Sequence, residues 1–142
     1  MEIDRDTAMI FWKKTYGNKK YVMDCFGSWI YKEDYEDYET TRIRPGSDKL
    51  AKAYGWDINY IRPESAFKEE TDIDLKNNFE PMHFLNIQEK GESYPDFAVA
   101  SNTYTIIRCD MCSAYGRKGY GISDSAGKRI DIKGKRRKCY TQ

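Results

Sequence analysis

Tyr54-Gly55-Trp56-Asp57-Ile58-Asn59-Tyr60-Ile61-Arg62-Pro63 and, after an acidic stretch over 64–76, Asn77-Asn78-Phe79-Glu80-Pro81-Met82-His83-Phe84-Leu85-Asn86-Ile87-Gln88-Glu89-Lys90-Gly91 decide how this chain reads. Apolar and aromatic residues over 56–61 predict a strand, and Pro63 ends it because proline cannot donate to a ladder. The second stretch predicts a helix over 81–90, with Pro81 at the favoured first position and Gly91 as the residue that leaves it. On that helix Met82, Phe84, Leu85 and Ile87 spread around more than half the circumference, which predicts packing on two sides with Ile87 drawn into the core.

Strand, loop and helix in this order resemble the HNH endonuclease motif, the hairpin-then-helix (ββα-metal) site. In the usual family form the first strand carries an Asp-His pair followed by Ile-x-Pro. An Asn follows, and the helix supplies an Asn or His three residues before a Lys. With Pro63 and Lys90 as anchors, the resemblance places Asn59 at the metal-binding Asp position, Tyr60 at the general-base His position and Ile87 at the helix ligand position. Asn78, nine residues before Ile87, keeps the identity of the structural middle Asn; Trp56, Pro63, Asn78 and Lys90 make up the surviving frame.

The chemical cost of these replacements can be graded. Hard divalent cations such as Mg²⁺ or Mn²⁺ favour charged oxygen ligands, whereas Asn59 offers a neutral carbonyl and Ile87 offers none. A tyrosine of unperturbed pKa about 10 is ionised in roughly one molecule per thousand at neutral pH, so Tyr60 makes a poor base. His83, the chain's only histidine, lies one helical turn before Ile87 and is the candidate to take over as ligand or base; in the family a His here often stands outside the catalytic set. Asn86 adjoins the vacated position, but one residue turns a helix by about 100° and points it away. The vestigial site therefore consists of Tyr60 and His83 as catalytic candidates, with Asn59 and Ile87 at the metal positions.

At 142 residues, with 39% hydrophobic and 15% aromatic residues, the chain suits one globular α+β domain. No apolar run reaches the length of a membrane span, and the charged start 1–6 lacks the basic and apolar regions of a signal peptide, so the expectation is an intracellular protein without a membrane partner. The formal charge is +1, unevenly placed. Residues 128–142 hold seven basic side chains against Asp131, a local +6 that leaves the remainder at −5. A basic tail over 133–142 (Lys133, Lys135, Arg136, Arg137, Lys138), with Arg62 and Lys90, is the candidate for sequence-independent phosphate contacts. Glu33, Asp34, Tyr35, Glu36, Asp37, Tyr38 and Glu39 form an acidic, tyrosine-interleaved stretch suited to a basic protein partner or to mimicry of a phosphate backbone.

The remaining elements are read from periodicity and punctuation. A helix is predicted over 7–16, capped by Asp6 or Thr7 and stopped by Gly17. A hairpin follows over 21–26 and 29–31, turning at Gly27-Ser28. Residues 33–39 and 44–48 read as loop or short irregular helix, and 50–54 as a turn of helix. Strands are predicted over 97–99 and 103–109, turning at Ser101-Asn102, with a last hairpin over 120–122 and 129–132. The domain spans 1–132, with the motif at 54–95 and a free tail beyond. Cys109 and Cys112 have the gap of a zinc knuckle, but no second pair exists, since Cys25 and Cys139 lie far apart in sequence; reduced thiols are expected over Zn²⁺.

The functional expectation is an HNH-like protein of bacterial or phage type that has lost catalysis and acts by binding DNA or a basic protein. The alternatives are a divergent divalent-metal-dependent HNH endonuclease and an acidic-surface inhibitor of a nucleic-acid-binding protein.

Overall fold

Asp4 starts the first element: its Oδ1 accepts the Thr7 N–H at 2.8 Å, so the N-cap falls two residues before the expected Asp6. The computed structural model describes residues 3–46, 50–66, 78–109, 119–130 and 136–138. Helix α1 (Arg5–Tyr16) buries Ala8, Trp12 and Thr15 on one stripe and ends at Gly17, whose φ of 71° suits glycine. Strands β1 (Tyr21–Met23) and β2 (Trp29–Tyr31) pair antiparallel, with Val22 opposite Ile30. Their connection is not the expected two-residue turn at Gly27-Ser28. Residues 24–28 form a longer loop closed by Asp24, whose Oδ1 accepts from the backbone N–H groups of Phe26 and Ser28. This side-chain acceptor adds to the loop's own backbone bonds, from Gly27 N–H to the Asp24 carbonyl and from Asp24 N–H to the Ser28 carbonyl.

A short hairpin of β3 (Thr41–Arg42) and β4 (Lys52–Ala53) replaces the expected helical turn at 50–54. Gly55 follows, and glycine is required: a Cβ there would run into the Asp37 carbonyl oxygen. Strand β5 (Trp56–Tyr60) pairs antiparallel with β6 (Phe79–His83), placing Ile58 opposite Pro81 and Asn59 opposite Glu80. The expected helix over 81–90 is thereby shortened. Helix α2 (Phe84–Lys90) begins three residues later, because every residue of β6 is buried and the run 79–83 gains more from two-sided burial than from helix. Pro81 is tolerated since β5 and β6 form a two-stranded ladder in which one side of β6 needs no donor.

The chain then builds an antiparallel sheet from β7 (Asp96–Val99), β8 (Asn102–Cys109), β9 (Gly119–Asp124), β10 (Lys128–Ile130) and β11 (Arg136–Lys138), in spatial order β11-β10-β9-β8-β7. Ala100 and Ser101 turn β7 into β8 at φ of 51° and 67°, a strained pair that Glu89 of α2 braces by accepting the Ala100 N–H at 2.7 Å. Arg136–Lys138, expected in a free tail, instead extend the sheet: β10 offers a pairing edge, and Lys128 lies opposite Lys138.

Two apolar clusters result. One joins α1 to the first strands through Trp12, Ile30, Tyr35, Trp56, Ile58 and Phe79, with Trp12 and Trp56 ring centroids 4.9 Å apart. The other lies under the large sheet and includes Phe97, Tyr104, Ile106, Tyr120 and Ile122, with Met82 contributed from β6. The β5–β6 ladder supplies both, which fixes α2 and the site residues between them. The architecture is α+β, and no helix among the described residues is long and apolar enough to cross a membrane.

Candidate functional site

β5, β6 and α2 form a hairpin followed by a helix, and Asn59, Tyr60, Pro63 and Ile87 converge on one cavity of about 320 Å³, which Glu64 and Glu92 also line. Ile87 is half-buried and packs against the larger cluster, as expected for a side chain recruited into the core. Tyr60 is half-buried, and its phenol is raised above the ordinary value by burial first, then by the charges of Glu64 and Asp57. It therefore holds its proton more firmly than a free tyrosine.

Behind the cavity lies a buried polar cluster that the sequence alone did not reveal. Glu80 is cross-strand from Asn59, and Cys25 Sγ lies 3.6 Å from Glu80 Oε1. Burial, followed by the Asp24 charge, pushes the Glu80 carboxyl up to about 7. Lys90 is also buried; desolvation brings its ammonium down to about 8 while the Glu80 charge opposes that shift. Burial likewise raises the Cys25 thiol well above its usual range. Asn59 Nδ2 is buried near Glu80 but outside hydrogen-bonding geometry. The available signal was Asp24 and Glu80 sitting inside otherwise apolar runs.

The other expected residues take positions of their own. His83 is not on the helix but caps it: Nδ1 accepts the Leu85 N–H at 3.1 Å, and Nε2 lies 3.0 Å from the Ala53 carbonyl oxygen. With Nδ1 accepting, the ring carries its proton on Nε2 and donates it to Ala53. His83 does not line the Asn59 cavity. Asn86 points to the opposite side of the helix, where its Nδ2 donates to Asp24 and Ser28. Lys90 is corrected as a phosphate contact: it is 2% exposed, and its Nζ donates to the Tyr60 carbonyl. Arg62 is half-buried, bonded to the Tyr120 hydroxyl and the Ala66 carbonyl, and stacked near Tyr94. Asn78 is fully buried and holds the backbone of Arg62, while Trp56 is a core residue.

The acidic stretch is only partly a surface. Asp34 is 1% exposed and takes a forked ion pair from Arg42, because a carboxylate at that depth needs a charged partner. Tyr35 is buried and donates to the Ile3 carbonyl. Tyr38 donates to Asp57, and Asp37 caps the turn at Thr40. Glu33, paired with Arg5, remains exposed with Glu36 and Glu39. Lys133, Lys135, Cys112, Cys139 and most of the acidic loop lie outside the described residues, as does the Cys109 side chain.

At the three aligned positions Asn59 brings a neutral amide, Ile87 a hydrocarbon and Tyr60 a protonated phenol, none of them the charged oxygen ligand that a hard divalent cation favours, and the carboxylates on this cavity wall are Glu64 and Glu92. Among the described residues no group of three or more His, Cys, Asp or Glu is placed to hold a metal ion. Comparison with family models, curated proteins and solved structures finds no match to this chain.

Proposed function

We propose that this chain is a catalytically silent protein of the HNH-like ββα type that acts by binding nucleic acid. The observation that carries the binding half is the β10–β11 register. Lys128 stands opposite Lys138 and Arg129 opposite Arg137, so five of the six residues in that ladder are basic. A strand pair of this composition at the end of the sheet order is a concentration of positive charge of the kind that phosphate backbones bind. The silent half is supported by the amide, phenol and hydrocarbon at Asn59, Tyr60 and Ile87, and by the use of His83 and Lys90 as structural groups.

Fluorescence anisotropy with labelled duplex DNA across a salt series tests the reading. Affinity falls linearly with salt on logarithmic axes, and replacing Arg136, Arg137 and Lys138 by Ala lowers the slope by about one for each phosphate that is no longer neutralised. No affinity at low salt points to a protein partner instead. Plasmid nicking in Mg²⁺ or Mn²⁺ that chelators abolish makes the chain an enzyme and overturns the silent half.

A further inference from the structure

On the opposite face of α2 from Asn59, a cavity of about 520 Å³ opens between the loop 24–28, the β3–β4 hairpin and the helix. Its size falls in the range of small-molecule sites, roughly 300–1,000 Å³. Arg44 and Lys52 line it together with Ser28 and Asn86. The Arg44 guanidinium sits over Trp29, its Cζ 3.8 Å from the ring centroid, a cation–π contact that holds it at the cavity wall. Its Nε is buried without a hydrogen-bond partner, and among the described residues Arg44 belongs to neither ion pair formed by Arg5 and Arg42. A half-buried guanidinium held over a ring, with its Nε unsatisfied and no carboxylate partner among the described residues, is placed to receive an anion.

The floor of the cavity is rigid because Asp24 organises it. This buried carboxylate receives the N–H groups of Phe26, Ser28 and His83 and the Asn86 amide. Asn86 Nδ2 donates its second proton to Ser28 Oγ, which leaves the Ser28 hydroxyl as donor and Asn86 Oδ1 as acceptor toward a ligand. Leu50 and Leu85, both well exposed, supply apolar walls. Two cations, a hydroxyl donor, an amide acceptor and apolar walls together suit an anionic ligand with an apolar, hydrogen-bonding body.

The geometry points to a mononucleotide site in this cavity, with the phosphate held by Arg44, Lys52 and Ser28 and the nucleoside carried between Leu50, Leu85 and Asn86. Isothermal titration of the full chain with adenosine monophosphate, adenosine and inorganic phosphate at low salt tests it. The nucleotide should bind more tightly than either fragment. R44Q should weaken it about tenfold or more, the loss expected for one charge-assisted contact, and S28A several-fold. Circular dichroism of each variant reports folding, and K52A offers a second charge removal on an exposed strand residue. Failure of the nucleotide to bind at millimolar concentration, or equal binding by the wild type and a folded R44Q, overturns the site. Inorganic phosphate binding as tightly as the nucleotide overturns the nucleotide assignment. So does a 5′-phosphorylated oligonucleotide that binds far more tightly, by making the phosphate that of a strand end.

Discussion

Asn78 clasps the backbone of Arg62 from both sides: its Oδ1 accepts the Arg62 N–H at 2.7 Å, and its Nδ2 donates to the Arg62 carbonyl at 3.0 Å. Asn78 has no exposed surface, so both bonds form away from water, and the Ile61 N–H adds a third link to the Asn78 carbonyl. These bonds tie the exit of β5 to the entrance of β6. Asn78→Ala strands two buried backbone groups and should cost about 2–4 kcal/mol, read from urea unfolding. Asn78→Asp keeps the acceptor but sets an anion against a carbonyl, so it should be no milder. A change below about 0.5 kcal/mol in the Ala variant would show that the clasp is ornamental.

His83 holds the start of α2 through Nδ1 and anchors β4 through Nε2. His83→Ala should lower stability by about 1–2 kcal/mol, the range for a lost N-cap plus a hydrogen bond. His83→Asn, which can still cap, should recover part of it. Equal losses in the two variants would place the effect in packing against Phe84, whose ring stacks on the imidazole, and not in capping.

Much of this was legible in the residues themselves. Alternation located β5, β7, β8 and the last hairpin, although the turn expected at Ser101-Asn102 falls at Ala100-Ser101 because Asn102 already pairs in β8, and Asn59, Tyr60 and Ile87 line one cavity. Pro81 misled because its preference for a first helical turn is local, whereas two-sided burial of 79–83 is a tertiary fact. His83 moved with it from helix face to cap. The Asp24, Glu80 and Lys90 cluster escaped for a similar reason: a charged residue in an apolar run shows its partners only once distant strands meet. Arg136–Lys138 read as tail because nothing in a basic run announces a strand edge waiting for it.

Opposed pH dependences follow from the buried pair. Glu80, raised to about 7 by burial and then by Asp24, keeps a proton in the fold that the unfolded chain releases above its ordinary value of 4.5. Stability should therefore fall between about pH 4.5 and 7. Lys90, lowered to about 8 by burial, has released a proton in the fold that the unfolded chain holds up to 10.5, so stability should rise above pH 8. The raised Cys25 thiol opposes that rise above its ordinary value of 9.0, which leaves pH 8–9 as the window for Lys90 alone. Urea midpoints measured against pH should lose the acid-side slope in Glu80→Gln and the slope over pH 8–9 in Lys90→Met. Unchanged profiles would assign the pH response to other groups.

Placing the HNH family's residues at the three aligned positions tests the proposed relationship directly. Asn59→Asp, Tyr60→His and Ile87→Asn together rebuild a carboxylate, an imidazole and an amide around the 320 Å³ cavity. Asn59 is 2% exposed and cross-strand from Glu80, so the new carboxylate meets desolvation and a neighbouring acid. Without metal the triple variant should be less stable than the parent by about 2–4 kcal/mol, the usual scale for burying a charge without a partner. Mn²⁺ binding only the folded form should return part of that loss as a rise in Tm that grows with ion concentration. Glu80→Gln added to the triple should lessen the metal-free penalty by removing the facing carboxyl. DNA nicking that requires Mn²⁺ and stops with chelator would then mark the frame as a nuclease frame. A folded triple variant with no metal-dependent shift in Tm and no nicking would mean that β5, β6 and α2 share only an outline with ββα-metal sites.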